Sequence, residues 1–166
     1  MVGASRFEGG SWVRVGFLLT YGAFAYGCVV VGAAAVRVRH LQGSRPGRVA
    51  LVASAAVVAA VAALSLPAIR FPTETLTGFE GLDLLSVLIV IALAGVVVAA
   101  GFVRAFETLR SAAAACLTGV LAGNLLIQRF TTRGTSVAYG LWWATGLAVV
   151  ALIAALGVRG RYEGHR

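Results

Sequence analysis

The sequence predicts an all-α integral membrane protein, one domain over residues 1–166 built as a bundle of five transmembrane helices with short loops. Three observations lead there. Of the 166 residues 60% are hydrophobic, with a mean hydropathy of +0.92, well above the usage of roughly half apolar residues in soluble domains. Only 12% are charged, and nearly all of these fall between apolar runs. The runs approach or reach the length of roughly 20 residues that a helix needs to cross a bilayer core.

Residues 1–14 are polar and glycine-containing and read as a poorly ordered lead-in, closed by Trp12 at a membrane boundary. The first span is 15–36. It has no charge and carries Gly16, Gly22, Gly27 and Gly32, with Tyr21 and Tyr26 among them. It is longer than the core of a typical signal peptide, so cleavage there is not expected. A basic loop with Arg37, Arg39, His40, Arg45 and Arg48 follows. The second span is 49–66, mostly alanine and valine, with Ala55, Ala59 and Ala63 in a small-residue row and Pro67 at its end.

Residues 68–77 connect to the third helix. Thr77-Gly78-Phe79-Glu80 has the spacing of a capping box, so that helix is expected to start there and run on through its span, 84–103, with Asp83 in its first turns where the helix dipole favours a carboxylate. Arg104 to Arg110 is a short charged link in which a helical turn would bring Glu107 against an arginine on each side. The fourth span, 111–128, is alanine-rich and the weakest of the five. Ser111, Ala115, Gly119 and Gly123 recur every fourth residue and form a ridge on which another helix can pack closely; its partner is open between this chain, a copy and another protein. Asn124 and Gln128 sit beside the ridge. After a polar turn, in which Thr135 or Ser136 can cap the next helix, the fifth span runs over 137–158 with Tyr139, Trp142 and Trp143 at its start, and a basic tail follows.

Five spans put the termini on opposite sides. With the N-terminus outside, nine arginines face the cytoplasm and five face out, as the positive-inside rule requires. The expected location is the cell membrane, with the C-terminus cytoplasmic. The net charge of +8 is then an orientation signal facing lipid headgroups, and no nucleic-acid partner is expected. Cys28 and Cys116 read as small buried hydrophobes.

An ionisable group at membrane depth is expensive and usually functional. No Asp, Glu, Lys, Arg or His lies near the centre of any expected span, which argues against proton relays, ion-coupled carboxylate sites and metal-dependent intramembrane hydrolysis. There is no lysine, and His40 and His165 lack metal-ligand spacing. No enzyme activity, cofactor or metal is expected. Two groups remain as candidate sites. Asn124, Gln128, Tyr21 and Tyr26 would line a polar pathway or bond across helices. Arg70, Glu74, Glu80 and Asp83 would form a cation or polar-ligand site at the outer face, or serve only as caps and solvated loop. The first functional expectation is a non-enzymatic accessory subunit or self-associating bundle whose partners are the lipid bilayer and other membrane subunits or a second copy. The alternative is a small permease or channel for an uncharged or weakly polar solute.

Overall fold

The computed structural model describes residues 5–37, 48–70, 74–131 and 136–163. Its helices are α1 (Ser5–Arg37), α2 (Arg48–Ala63), the single turn α3 (Gly78–Gly81), α4 (Leu84–Phe102), α5 (Arg110–Thr131) and α6 (Tyr139–Glu163), with strands β1 (Pro67–Arg70), β2 (Thr75–Thr77) and β3 (Ser136–Val137). Among the described residues four helical stretches are long and apolar enough to cross a membrane: Gly10–Arg37, Leu84–Phe102, Phe106–Phe130 and Tyr139–Leu156. The span expected to be weakest is among these four. The short one is instead α2, whose 16 residues rise about 24 Å at about 1.5 Å per residue.

Four local expectations need correction. Helix α1 begins at Ser5, well before the expected start of order at residue 15, and within the stretch expected to be poorly ordered the Trp12 ring stacks on Phe130 of α5 with centroids 6.3 Å apart. Helix α2 ends at Ala63 rather than Leu66. Pro67 disfavours helical backbone in the residue before it, and the chain tightens into bonds from the N–H groups of Leu64, Ser65 and Leu66 to the carbonyls of Val61, Ala62 and Ala63 at 3.0–3.1 Å. The capping box at Thr77 forms, with Glu80 N–H donating to Thr77 Oγ1 and Thr77 N–H donating to Glu80 Oε2 at 2.8 Å. It caps α3 alone. Leu82 turns extended, and Asp83 caps α4 afresh by accepting from Ser86 N–H at 3.1 Å, since Gly81 is a poor helix former and Asp a strong cap. Finally, Ser136 is a strand residue rather than a helix cap; Thr135 lies outside the described residues.

The loops are not wholly irregular either. Strand β1 pairs antiparallel with β2 on one side and β3 on the other. The α5–α6 connection is thereby stitched to the one between α2 and α3, and Ala138 N–H adds a 2.7 Å bond to Ala68 O. This sheet marks one end of the bundle. A side chain on Gly140, at the start of α6, would meet the Leu66 and Pro67 carbonyls at 2.8 and 2.7 Å, so α6 sets off directly from the end of α2. At the opposite end Arg37 Nη1 donates to Thr108 Oγ1 at 2.6 Å, and Gly101 of α4 lies against Ala50 and Ser54 of α2. The five long helices therefore alternate in direction.

Helix α5 is central, touching α1, α4 and α6. Its Leu117, Val120 and Leu121 are fully buried beside Val57, Leu64, Leu93, Val90 and Val97. Helices α2 and α6 pack along each other, and Ala53 and Ala60 of α2 and Ala144, Ala148 and Ala151 of α6 are fully buried. On α2 the buried row is thus Ala53, Val57 and Ala60. Of the row expected from spacing, Ala55 and Ala59 are exposed and only Ala63 is buried. Between α5 and α6, Thr118 Oγ1 lies 2.8 Å from Ala114 O of its own helix and 3.1 Å from Ala148 O across the interface. Both cysteines are free, Cys116 buried and Cys28 exposed.

The charged link 104–109 is a 3-10 helix, but Glu107 and Arg110 form no ion pair among the described residues. Arg110 is turned inward, 4% exposed, and its Nε has no partner. An exposed ion pair contributes little, so Arg110 gives up little by turning away from Glu107. The side chain of Arg104 lies outside the description.

Candidate functional site

Helices α1 and α5 approach closely through small residues. A Cβ on Gly16 of α1 would lie 2.9 Å from Gly123 O, and one on Gly119 would lie 2.7 Å from Ala23 Cβ. Thr20 Oγ1 occupies the space that a side chain at residue 123 would need. Of the expected ridge, then, Gly119 and Gly123 lie against α1 of the same chain. Ser111 is half-buried and Ala115 exposed.

This tight crossing leaves a cleft beside it. Where α1 and α5 meet the start of α4, a cavity of about 330 Å³ is lined by Phe17, Thr20, Tyr21, Phe24, Gly81, Asp83, Leu85, Ser86, Asn124 and Ile127. Its volume falls at the lower end of the range of roughly 300 to 1,000 Å³ typical of small-ligand sites. Its polar groups come from three helices. Thr20 is buried, and its Oγ1 has no hydrogen-bond partner. Asn124 is 9% exposed, and its amide nitrogen donates to Val120 O of its own helix at 2.9 Å, which leaves the amide oxygen for another partner. Ser86 is buried one turn into α4, while Asp83 is exposed at the rim. Hydrogen bonds from Ser86, its hydroxyl foremost and its backbone N–H besides, hold the Asp83 carboxyl below its usual pKa, so the rim is negatively charged near neutrality. The walls are aromatic and aliphatic, and Phe17 stacks on Tyr21 with centroids 5.9 Å apart and planes 6° from parallel.

The two candidate groups are therefore redistributed. Asn124 and Tyr21, from the polar group, meet Asp83, from the outer group, in one cleft. Tyr26 is 58% exposed and points away from it. Gln128 is half-buried one turn beyond Asn124 and does not line it. Glu80 is held in the capping box, where the Thr77 backbone and hydroxyl keep its pKa low. Arg70 lies exposed on β1 and Glu74 precedes β2; no ion pair joins either to the other acidic residues among the described residues.

Sequence reasoning missed Thr20, Ser86, Phe17 and Phe24. A signal for Thr20 was present: Gly16, Thr20, Ala23 and Gly27 follow the helical spacing of three and four residues that marks one face. Comparison with known protein families, curated proteins and solved structures finds no match to this chain.

Proposed function

We propose that this chain is a non-enzymatic, five-span protein of the cell membrane, N-terminus outside and C-terminus cytoplasmic, that binds a small solute with an apolar body in the cleft between α1, α4 and α5. The observation that carries this reading is the convergence of Thr20, Ser86 and Asn124, polar groups from three helices, on one apolar-walled cavity. Buried polar groups ordinarily pair within the protein; here the Asn124 bond to Val120 O uses only the amide nitrogen, beside space that a ligand can fill. Counting α2 as the fifth span rests on its antiparallel packing along α6, with its short apolar length accommodated by tilt or local thinning of the bilayer.

The test is binding of phenylpropanol to the purified protein, followed by ligand-observed NMR. Replacing Asn124 by leucine keeps the helix and removes the amide. Binding that weakens about tenfold, the loss of one buried hydrogen bond, supports the cleft as the site. Equal binding to both proteins counts against it.

A second reading, an accessory subunit or self-associating bundle, has its own support. Helices α2 and α6 leave a shallow apolar groove of about 420 Å³ lined by Ala59, Ala62, Ala63, Leu66, Trp143 and Leu147, and small residues suit helix association in lipid. Native mass spectrometry from mild detergent separates the two. A stoichiometric dimer or partner favours assembly, and a monomer disfavours it.

A further inference from the structure

Resting on the cleft as a binding site, we infer that its ligand is a monovalent organic ammonium on an apolar body, with the cation at Asp83 and the body between Phe17, Tyr21 and Phe24. Among the described residues the lining carries one formal charge, the Asp83 carboxylate, and no Arg, Lys or His. An anion would meet that carboxylate with nothing to offset it. A divalent metal ion would find a single carboxylate, where such ions take six or more oxygen ligands or keep several waters. An ammonium group suits the site on three counts. It brings donors only, and the cleft offers acceptors: the Asp83 carboxylate at its rim and the Asn124 amide oxygen. Aromatic faces attract a cation within about 6 Å of the ring centroid, and three aromatic side chains line this cavity. The placement also fits. Asp83 caps the N-terminus of α4 at the sheet end of the bundle, so a bound charge stays near water while the body reaches in toward Phe24 and Asn124.

The same ammonium chemistry occurs on free amphiphilic amines and on the headgroups of zwitterionic lipids. A zwitterionic headgroup also carries a phosphate, and no basic residue among the described residues lines the cleft to receive one, so the free amine is the assignment. The experiment compares phenylpropylamine, phenylpropanol and phenylpropionate, which share a body and differ in charge, on the purified protein by ligand-observed NMR. The expected result is that the amine binds at least about tenfold tighter than the alcohol, as a charge-assisted hydrogen bond implies, and that the acid is weakest. Asp83→Asn retains a side chain able to cap α4 and removes only the charge; it should abolish the preference for amine over alcohol. Alcohol binding as tight as amine binding overturns the cation assignment while leaving the cleft as a site. An amine preference that survives in Asp83→Asn overturns the role of Asp83. Displacement of the amine by phosphatidylethanolamine overturns the free-amine source. If none of the three compounds binds in a manner sensitive to Asn124→Leu, the underlying site reading falls as well.

Discussion

Thr20 Oγ1 on α1 sits against Gly123 on α5, in the space that a side chain at residue 123 would fill. The contact decides how closely the first and fifth helices cross, and the cleft opens beside that crossing. Small residues have this role in lipid because helices there associate through close packing rather than through expulsion of water.

A bulkier residue at this contact should push α1 off α5. Gly123→Val is expected to destabilise the protein by about 1–3 kcal/mol, the usual penalty for overpacking. Gly22→Ala, on the same α1 helix but with nothing within 4 Å of the added carbon, should leave stability unchanged. Thermal unfolding of the two variants in detergent makes the comparison, and equal midpoints would contradict the crossing.

Thr118 tests the α5–α6 interface. Thr118→Val keeps the shape and removes the hydroxyl that lies 3.1 Å from Ala148 O. Interhelical hydrogen bonds of this kind contribute about 0.6 kcal/mol on average. A small but measurable loss of stability is expected, with no change in helix content by circular dichroism.

Acid should loosen the sheet end first. Asp83 and Glu80 both have folded-state pKa values held low by their caps. A depressed carboxylate contributes stability that is present above its unfolded pKa, about 4, and is lost as pH falls through the folded value. The unfolding midpoint should therefore be flat from neutrality down to about pH 5 and fall below about pH 4. Combined Glu80→Gln and Asp83→Asn should flatten that fall. Asp83→Ala removes the α4 cap altogether and should destabilise by about 1 kcal/mol at neutral pH.

The proposed orientation is checked by cysteine labelling in intact cells, after Cys28 and Cys116 have been changed to alanine. A cysteine at Glu74, next to β2 at the sheet end, should react with a membrane-impermeant maleimide. One at Thr108, at the end where Arg37 bonds it, should react only after the membrane is opened. The reverse pattern would invert the topology.

What the sequence by itself determined was set by residue type and local spacing. The absence of charge from long apolar runs is enough to read apolar helices, because a backbone in lipid must satisfy its own hydrogen bonds. The Thr77–Glu80 box was legible because a cap involves residues three apart on one chain. The small sheet was not, since its strands of two to four residues carry too little periodicity to separate from loop. Nor was the buried face of α2, because alanine repeats evenly on several faces and the sequence favours none of them. Asp83 and Asn124 stood out singly, one as a cap and one as a polar residue at depth, and nothing in their spacing joins them. Helical periodicity relates a residue to its own axis only. Which face of α5 meets α1, and which end of α4 lies beside both, depends on helix rotation and crossing distance. Packing at Gly16, Thr20 and Gly123 decided these, and only the tertiary structure brought Tyr21, Asp83 and Asn124 to one cleft.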